Sequence, residues 1–306
     1  MNKSKKIIIT TGDPNGIGAE ITRKALKHFD REEFTIVSNK NILGISPDVE
    51  VDFEGEVRHS VLTKEAGEFS YQCLKKACEL AKTGEYKAIV TAPVAKEALH
   101  LAGHNFSGQT EILEHFLAHD GQKAEMLFIA KDFRVLLLTR HVALKEINLT
   151  KEMIIDKIWR LNDFFRLKMA QINPKIALCA LNPHAGENGL FGSEEKEILI
   201  PAVEELKQKG VDITMPKPAD TLFIEAAENY LKGIKPPFDC YIACYHDQGL
   251  IPIKTVASAN TVNMTIGLDI IRTSPCHGTA FDIAGKDIAN EHSMIQAIIQ
   301  AQNITE

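Results

Sequence analysis

Short apolar runs alternate along this chain with longer segments of helical spacing, a pattern that predicts a mostly parallel α/β architecture. Residues 7–10 read as a first strand, followed by a glycine-rich turn and a helix from about Gly16. Residues 34–37 and 88–93 read as further strands. Between them, residues 65–82 place Ala66, Phe69, Cys73, Ala77 and Leu80 on one helical face. Residues 126–130 and 134–139, separated by Lys131-Asp132-Phe133, predict an antiparallel hairpin. Residues 151–172 carry Trp159, Phe164, Phe165 and other apolar side chains over most of their surface, which predicts a long helix buried on one side and used in a subunit contact. Ser193 ahead of Glu194-Glu195 reads as a helix N-terminus with acids in its first turn. There is no internal repeat, low-complexity tract or obvious linker, so any domain division must be made by strands crossing between lobes.

Three of the apolar runs lead straight into a histidine: Val135-Leu136-Leu137-Leu138-Thr139-Arg140-His141, Ile176-Ala177-Leu178-Cys179-Ala180-Leu181-Asn182-Pro183-His184 and Cys240-Tyr241-Ile242-Ala243-Cys244-Tyr245-His246. Open α/β sheets bind ligands outside the carboxyl ends of their strands. Three imidazoles with an open position is the ligand pattern of a catalytic metal. One histidine after a strand is more often a loop or capping residue. It is the recurrence that points to a shared site.

Composition narrows the classes. With 306 residues, 44% hydrophobic and 25% charged, the chain reads as an ordinary globular protein of two domains or one large one. A net charge of -6 argues against general nucleic-acid or anionic-membrane binding, though local Lys and Arg can still build an anion pocket. No apolar run approaches bilayer-crossing length. The basic start Met1-Asn2-Lys3-Ser4-Lys5-Lys6 is followed only by Ile7-Ile8-Ile9, a first strand rather than a signal peptide. Six cysteines without a CxxC pair read as buried small hydrophobes in a reducing compartment, so the expected location is cytoplasmic.

The turn Thr11-Gly12-Asp13-Pro14-Asn15-Gly16-Ile17-Gly18 joins strand to helix and offers backbone N–H groups to an anion, but is neither a Walker A loop nor a GxGxxG fingerprint. Asp247, beside His246, is suited to orienting an imidazole, ligating a metal or acting as a base. Lys254 lies among apolar residues and prolines, where a proton-shuttling, phosphate-binding or surface role is open. Asn263 and Arg272 flank residues 264–271, and arginine suits bidentate recognition of phosphate or carboxylate. His277-Gly278-Thr279-Ala280-Phe281-Asp282-Ile283-Ala284-Gly285-Lys286 is rich in small residues that permit close approach to a flat ligand such as adenine.

At these residues the sequence resembles the PdxA family, the 4-hydroxythreonine-4-phosphate dehydrogenases of pyridoxal 5′-phosphate biosynthesis. The resemblance runs through Thr11-Gly12-Asp13-Pro14 with Gly16-Ile17-Gly18, Asn182-Pro183-His184-Ala185-Gly186-Glu187, Pro218-Ala219-Asp220-Thr221, Tyr245-His246-Asp247-Gln248-Gly249, Ile271-Arg272-Thr273-Ser274 and His277-Gly278-Thr279-Ala280. It implies a two-lobed α/β/α fold with mostly parallel sheets, like that of the isopropylmalate and isocitrate dehydrogenases. On that fold the expected domains are residues 1–107 with 258–306, carrying the cofactor loop, and residues 108–257, carrying the metal ligands and dimer contacts. By position, the resemblance implies metal ligands His141, His184 and His246, and substrate contacts from Gln109, Thr110, Lys254, Asn263 and Arg272. It implies NAD, with NADP as an alternative, held by His277, Gly278, Thr279, Ala280, Asp282 and Asn290. A homodimer is implied with the site at its interface, His141 and His184 coming from one subunit and His246 from the other.

Three positions depart from the family pattern. Gln109 stands where histidine is usual, and an amide keeps hydrogen bonding but cannot be protonated near neutral pH. Arg140 replaces a more usual threonine, and Asp287 a usual glycine, adding negative charge near the cofactor loop. The implied reaction takes 4-phosphooxy-L-threonine and NAD to 3-amino-2-oxopropyl phosphate, carbon dioxide and NADH. A divalent zinc, magnesium, cobalt or manganese ion would assist, with Lys254 or Asp247 as proton-transfer groups. Two alternatives stand beside this expectation. One is a related dehydrogenase of 4-phosphothreonate or 4-phosphoerythronate, kept open by Gln109. The other is a three-histidine metal hydrolase that uses no nucleotide.

Overall fold

Ile7, Ile8 and Ile9 are fully buried, as an unbroken apolar run must be when both faces of a parallel sheet are covered. In the computed structural model, which describes residues 5–305, they lie in β1 (Lys6–Thr10). Residues 1–4 of the basic start lie outside the described residues. The chain divides into two units, one of residues up to Ala124 with Val262–Ile304, the other Glu125–Thr261.

The first unit holds β1, β2 (Phe34–Ser38), β3 (Val49–Glu50), β4 (Tyr86–Thr91), β9 (Val262–Ile266) and β10 (Ile271–Pro275) in the order β3-β2-β1-β4-β10-β9. All its pairings are parallel except β10 with β9, where Arg272 lies opposite Thr265 and Ser274 opposite Asn263. Alternation along β1 sorts the core: Ile7 and Ile9 pack with Ile21, Phe34, Met294 and Ile298, while Ile8 packs with Phe69, Leu74, Ile89 and Leu113 on the other face. The amphipathic segment forms the helix Lys64–Ala81, started by Thr63, whose hydroxyl accepts from the Ala66 N–H at 3.1 Å. The helix Gln109–Leu117 packs on it, which carries this unit on to Ala124 rather than ending it at residue 107.

The second unit holds β5 (Glu125–Ala130), β6 (Phe133–Leu137), β7 (Ile176–Leu178) and β8 (Cys240–Ala243) in the order β5-β6-β8-β7. β5 and β6 form the expected hairpin, closing with Ala130 opposite Phe133 and Lys131 at φ 55° in the turn. β6, β8 and β7 run parallel. The helix Lys151–Lys168 buries Ile154, Ile158, Leu161, Phe164 and Phe165. It stops short of residue 172 because Ala170 turns left-handed at φ 51° and the Gln171 N–H returns to the Phe165 carbonyl at 2.9 Å. Five of the six cysteines are buried and Cys276 is half-buried. No helix among the described residues is long and apolar enough to cross a membrane.

One buried charge cluster sits in this unit. Glu125, 2% exposed, accepts from Lys157 and from Arg160, whose Nη2 lies 2.7 Å away. Burial draws the Lys157 ammonium below its usual range, and Glu125 opposes the fall. Replacing Glu125 by alanine strands a buried cation. The expected outcome is a loss of about 3–5 kcal/mol, read as a lower urea midpoint at unchanged slope.

Candidate active site

Because β6, β8 and β7 are adjacent and parallel, their carboxyl ends share one edge, and each continues into a histidine. Past β6, Leu138 and Thr139 donate backbone N–H bonds to the Ala243 and Cys244 carbonyls at 2.8 and 3.2 Å, holding the chain beside β8 as far as Arg140. His141 and His246 consequently lie with ring centroids 5.6 Å apart. The expected division between subunits separated these two; the ring pair seen within one chain is His141 with His246. His184 follows β7, one strand further out. Its ring lies 6.5 Å from that of Phe191. Among the described residues no three His, Cys, Asp or Glu side chains form a group able to hold a metal.

The donor chemistry nevertheless suits a divalent ion. Asp247 Oδ1 lies 2.7 Å from His246 Nδ1, and Glu187 Oε2 lies 3.3 Å from His184 Nδ1. Each carboxylate occupies one ring nitrogen and leaves Nε2 for an ion, the usual support of a metal-binding imidazole. His184 sits in an unusual backbone: His184, Ala185, Gly186, Glu187 and Asn188 are all left-handed, with φ between 41° and 75°. Such conformations cost L-residues roughly 1–2 kcal/mol each and normally occur singly. Two side chains brace this edge. Glu195, 5% exposed, accepts from the Leu181 and Asn182 N–H groups at 2.8 Å each. Gln248 accepts from the Cys244 N–H at 2.7 Å and donates to the Ala180 carbonyl at 2.8 Å, tying the ends of β8 and β7 together. Ser193 does precede a helix, but its start is wound as a π-turn over Glu195–Leu199, and Glu195 serves the histidine loop rather than the helix terminus.

Gly249 brings the helix His246–Ala257 against the sheet: a Cβ there would lie 2.7–2.9 Å from Leu137, Val135 and Ala243. Lys254, half-buried, is two turns from Asp247 on this helix, about 10 Å along the axis and on the same side.

The remaining predicted substrate residues gather in the first unit. Arg272 is 3% exposed, and its Nε donates to Thr91 Oγ1 at 2.8 Å. Burial lowers its pKa to about 10, opposed by Cys276 and Glu111, and leaves it charged at neutral pH. Thr110, buried in the first turn of Gln109–Leu117, has its Oγ1 3.5 Å from that of Thr265, the residue opposite Arg272. Gln109 donates Nε2 to the Ala92 carbonyl at 3.1 Å. Its buried Oε1, and the buried Oδ1 of Asn263, have no hydrogen-bond partner, so both are acceptors in want of a donor.

The proposed cofactor residues lie in the same unit. After β10, the 277–286 loop docks on the first turn, where the Ile17 N–H donates to the Thr279 carbonyl at 3.1 Å. Gly16 is required there, since a Cβ would come within 2.9 Å of Thr279. Asn15 holds a third loop by accepting from the Arg58 N–H at 2.7 Å and donating to the Val61 carbonyl at 2.8 Å. Around these turns lies an open cleft of about 320 Å³ lined by Gly16, Glu20, Arg23, His59, Gly285 and Asp287. His277, Gly278 and Asp282 are exposed, and Thr279 and Ala280 half-buried. Asn290 accepts from the His292 N–H at 2.7 Å, at the start of the helix His292–Gln302. Asp13 is fully buried beneath the first turn. Burial raises its carboxyl to about 6, against the Asn15 and Ala95 N–H bonds that lower it, and its Oδ2 has no partner.

The sequence reading thus places its residues in two groups: the histidines, Asp247 and Lys254 in one unit, and Gln109, Thr110, Asn263, Arg272 and the cofactor loop in the other. It missed Glu195, Gln248 and Thr91. Gln248 lay inside a quoted motif, but only the strand pairing reveals what its amide bridges.

The chain is an enzyme of the dehydrogenase class. It belongs to the family described as pyridoxal phosphate biosynthetic protein PdxA, whose model matches residues 4–301. It is 37% identical over 334 residues to the D-threonate 4-phosphate dehydrogenase of Salmonella typhimurium, covering 99% of each chain. It is 36% identical to the 4-hydroxythreonine-4-phosphate dehydrogenase of Synechocystis sp., covering 98% of this chain and 96% of that one. The crystal structure of 4-hydroxythreonine-4-phosphate dehydrogenase from Klebsiella pneumoniae superposes with a TM-score of 0.84 at 34% identity, over 98% of this chain and 99% of that one. Isocitrate dehydrogenase from Methylococcus capsulatus, at 14% identity and a TM-score of 0.50 over 97% of this chain and 85% of that one, shares the fold.

Two outcomes follow from the braces. Gln248→Leu unpairs the Cys244 N–H and the Ala180 carbonyl; stability should fall by about 2–4 kcal/mol, read as a lower urea midpoint. Asp13, with its folded pKa raised, contributes stability that is complete below its unfolded value of 3.8 and lost as pH rises through about 6. Denaturant titrations should therefore show the wild type losing about 2–3 kcal/mol relative to Asp13→Asn between about pH 4 and pH 7.

Proposed function

We propose that this chain oxidises, and then decarboxylates, a four-carbon hydroxy acid carrying a terminal phosphate, with NAD as hydride acceptor (NADP as the alternative) and a divalent ion. The observation that carries this reading is Arg272, a buried guanidinium held at Nε by Thr91 and suited to bidentate recognition of an anion. The preferred substrate is 4-phosphooxy-L-threonine, giving 3-amino-2-oxopropyl phosphate in pyridoxal 5′-phosphate biosynthesis. Similarity to the Salmonella typhimurium enzyme favours a second reading, D-threonate 4-phosphate, in which a hydroxyl replaces the amino group.

In either case Arg272 holds the phosphate or carboxylate. The orphan oxygens of Gln109 and Asn263 accept from the substrate's ammonium or hydroxyl groups, and Thr110 supplies a hydroxyl beside them. Gln109 positions without carrying charge. Lys254 or Asp247 transfers the proton of the C3 hydroxyl, and Asp247 Oδ1, 2.7 Å from His246 Nδ1, orients the imidazole. His141, His184 and His246 would hold zinc, magnesium, cobalt or manganese. When bound, the ion would supply Lewis acidity and the nicotinamide would serve as the hydride acceptor. His277, Gly278, Thr279, Ala280, Asp282 and Asn290 form the cofactor's side.

The three imidazoles are completed across a homodimer. Exposed apolar side chains flank each of them: Leu144 after His141, Leu190 after His184 and Ile251 after His246 are 69%, 72% and 62% exposed. A face of that kind is suited to a second copy of the chain. The enzyme is assigned to the cytoplasm, with no nucleic-acid or membrane partner.

The test is NADH formation from each phosphorylated acid, with and without added manganese or magnesium. Activity on 4-phosphooxy-L-threonine that collapses on chelation, and falls at least about 100-fold in His184→Ala, is expected. Turnover of D-threonate 4-phosphate alone transfers the assignment to the second substrate. Absence of NADH with both overturns the dehydrogenation of this substrate class.

A further inference from the structure

Strand register puts Thr91, Arg272, Thr265 and Asn263 on one face of three adjacent strands, β4, β10 and β9. That face is covered: Thr91 and Thr265 are fully buried and Arg272 is 3% exposed. The helix Gln109–Leu117 starts over it, with the Thr110 hydroxyl 3.5 Å from that of Thr265. Two consecutive residues at the end of β4 then hold two different side chains. Thr91 Oγ1 accepts from Arg272 Nε at 2.8 Å, and the Ala92 carbonyl accepts from Gln109 Nε2 at 3.1 Å. The guanidinium and the amide are therefore held from one strand end.

The Ala92 bond also decides which way the amide faces. Turned over, Oε1 would oppose the Ala92 carbonyl oxygen, so Nε2 is spent there and Oε1 is what Gln109 offers the pocket. That oxygen is buried and has no hydrogen-bond partner among the described residues, and Asn263 Oδ1 is in the same condition. An imidazole can change between donor and acceptor by moving a proton, whereas this amide is an acceptor at every pH. A carboxylate borders the same corner: Glu111 Oε2 lies 3.3 Å from where a Cβ on Gly108 would stand. Two acceptors and a carboxylate near a guanidinium suit a ligand whose anionic end adjoins a cationic donor. A hydroxyl carries one proton and serves one of the two oxygens. An ammonium carries three and serves both.

We propose that Gln109 is a specificity-determining residue which, with Asn263, selects an acid bearing an ammonium group over the matching acid bearing a hydroxyl. The inference rests on the substrate class proposed above and ranks its two members. Calorimetric titration of the full-length protein, with manganese present and no dinucleotide, tests it. The ligands are 4-phosphooxy-L-threonine and its analogues of the same configuration with hydroxyl or hydrogen at C2. The wild type should bind the ammonium ligand about fivefold or more tightly than the hydroxyl ligand, and the hydrogen ligand most weakly, because each acceptor left buried without a donor carries a penalty of that order. Gln109→Leu and Asn263→Ala should each shrink the ammonium-to-hydroxyl gap about threefold or more, chiefly by weakening the ammonium ligand. A Gln109 that merely held the Ala92 segment in place would weaken all three ligands alike and leave the gap as it was. A wild type that binds the hydroxyl ligand as tightly as the ammonium one, or a gap unchanged in both variants, overturns the inference alone. A wild type that binds none of the three overturns the substrate class, and this inference with it.

Discussion

The side-chain amide of Gln248 bridges two strand ends that carry two of the three histidines. Parallel strands end with backbone groups that no neighbour satisfies, and at this edge those groups lie exactly where the chemistry has to be built. One amide that accepts from Cys244 and donates to Ala180 closes that gap and aligns β8 with β7. The Leu138 and Thr139 backbone bonds to the Ala243 and Cys244 carbonyls do the same for β6 and β8. The 5.6 Å between the His141 and His246 rings accompanies that alignment.

A different constraint governs the first unit. There the sheet buries Arg272 and leaves the amide oxygens of Gln109 and Asn263 without donors, an arrangement unfavourable for folding in isolation. The strands that deliver Arg272 and Asn263, β10 and β9, are the antiparallel pair, and their register sets Thr265 opposite the arginine.

Much of the fold was legible because its strongest signals are local. β1, β2 and β4 are apolar runs buried on both faces, and the helix Lys64–Ala81 shows its stripe in the sequence. The histidines were legible as strand-end residues for the same reason. What escaped notice depends on distant partners. Glu195 looks like any acid in a first helical turn until the Leu181 and Asn182 N–H groups are seen to point at it. The burial of Asp13 follows from the Pro93 and Ala95 backbone passing over it, which no spacing around Asp13 announces. The unit boundary after residue 107 failed to allow for a helix that follows its packing partner rather than its neighbours in sequence.

The left-handed turn at His184–Asn188 has a consequence for how tightly anything can be held through His184. Four of its five residues are not glycine, so a free chain scarcely visits this shape, and Glu195 anchors the Asn182 backbone and amide just ahead of it. The affinity seen by a ligand at that imidazole is its intrinsic affinity multiplied by the fraction of molecules in which the turn is wound. Grip at this position is therefore adjustable from a distance, by the packing behind the loop, with the coordinating atom left untouched.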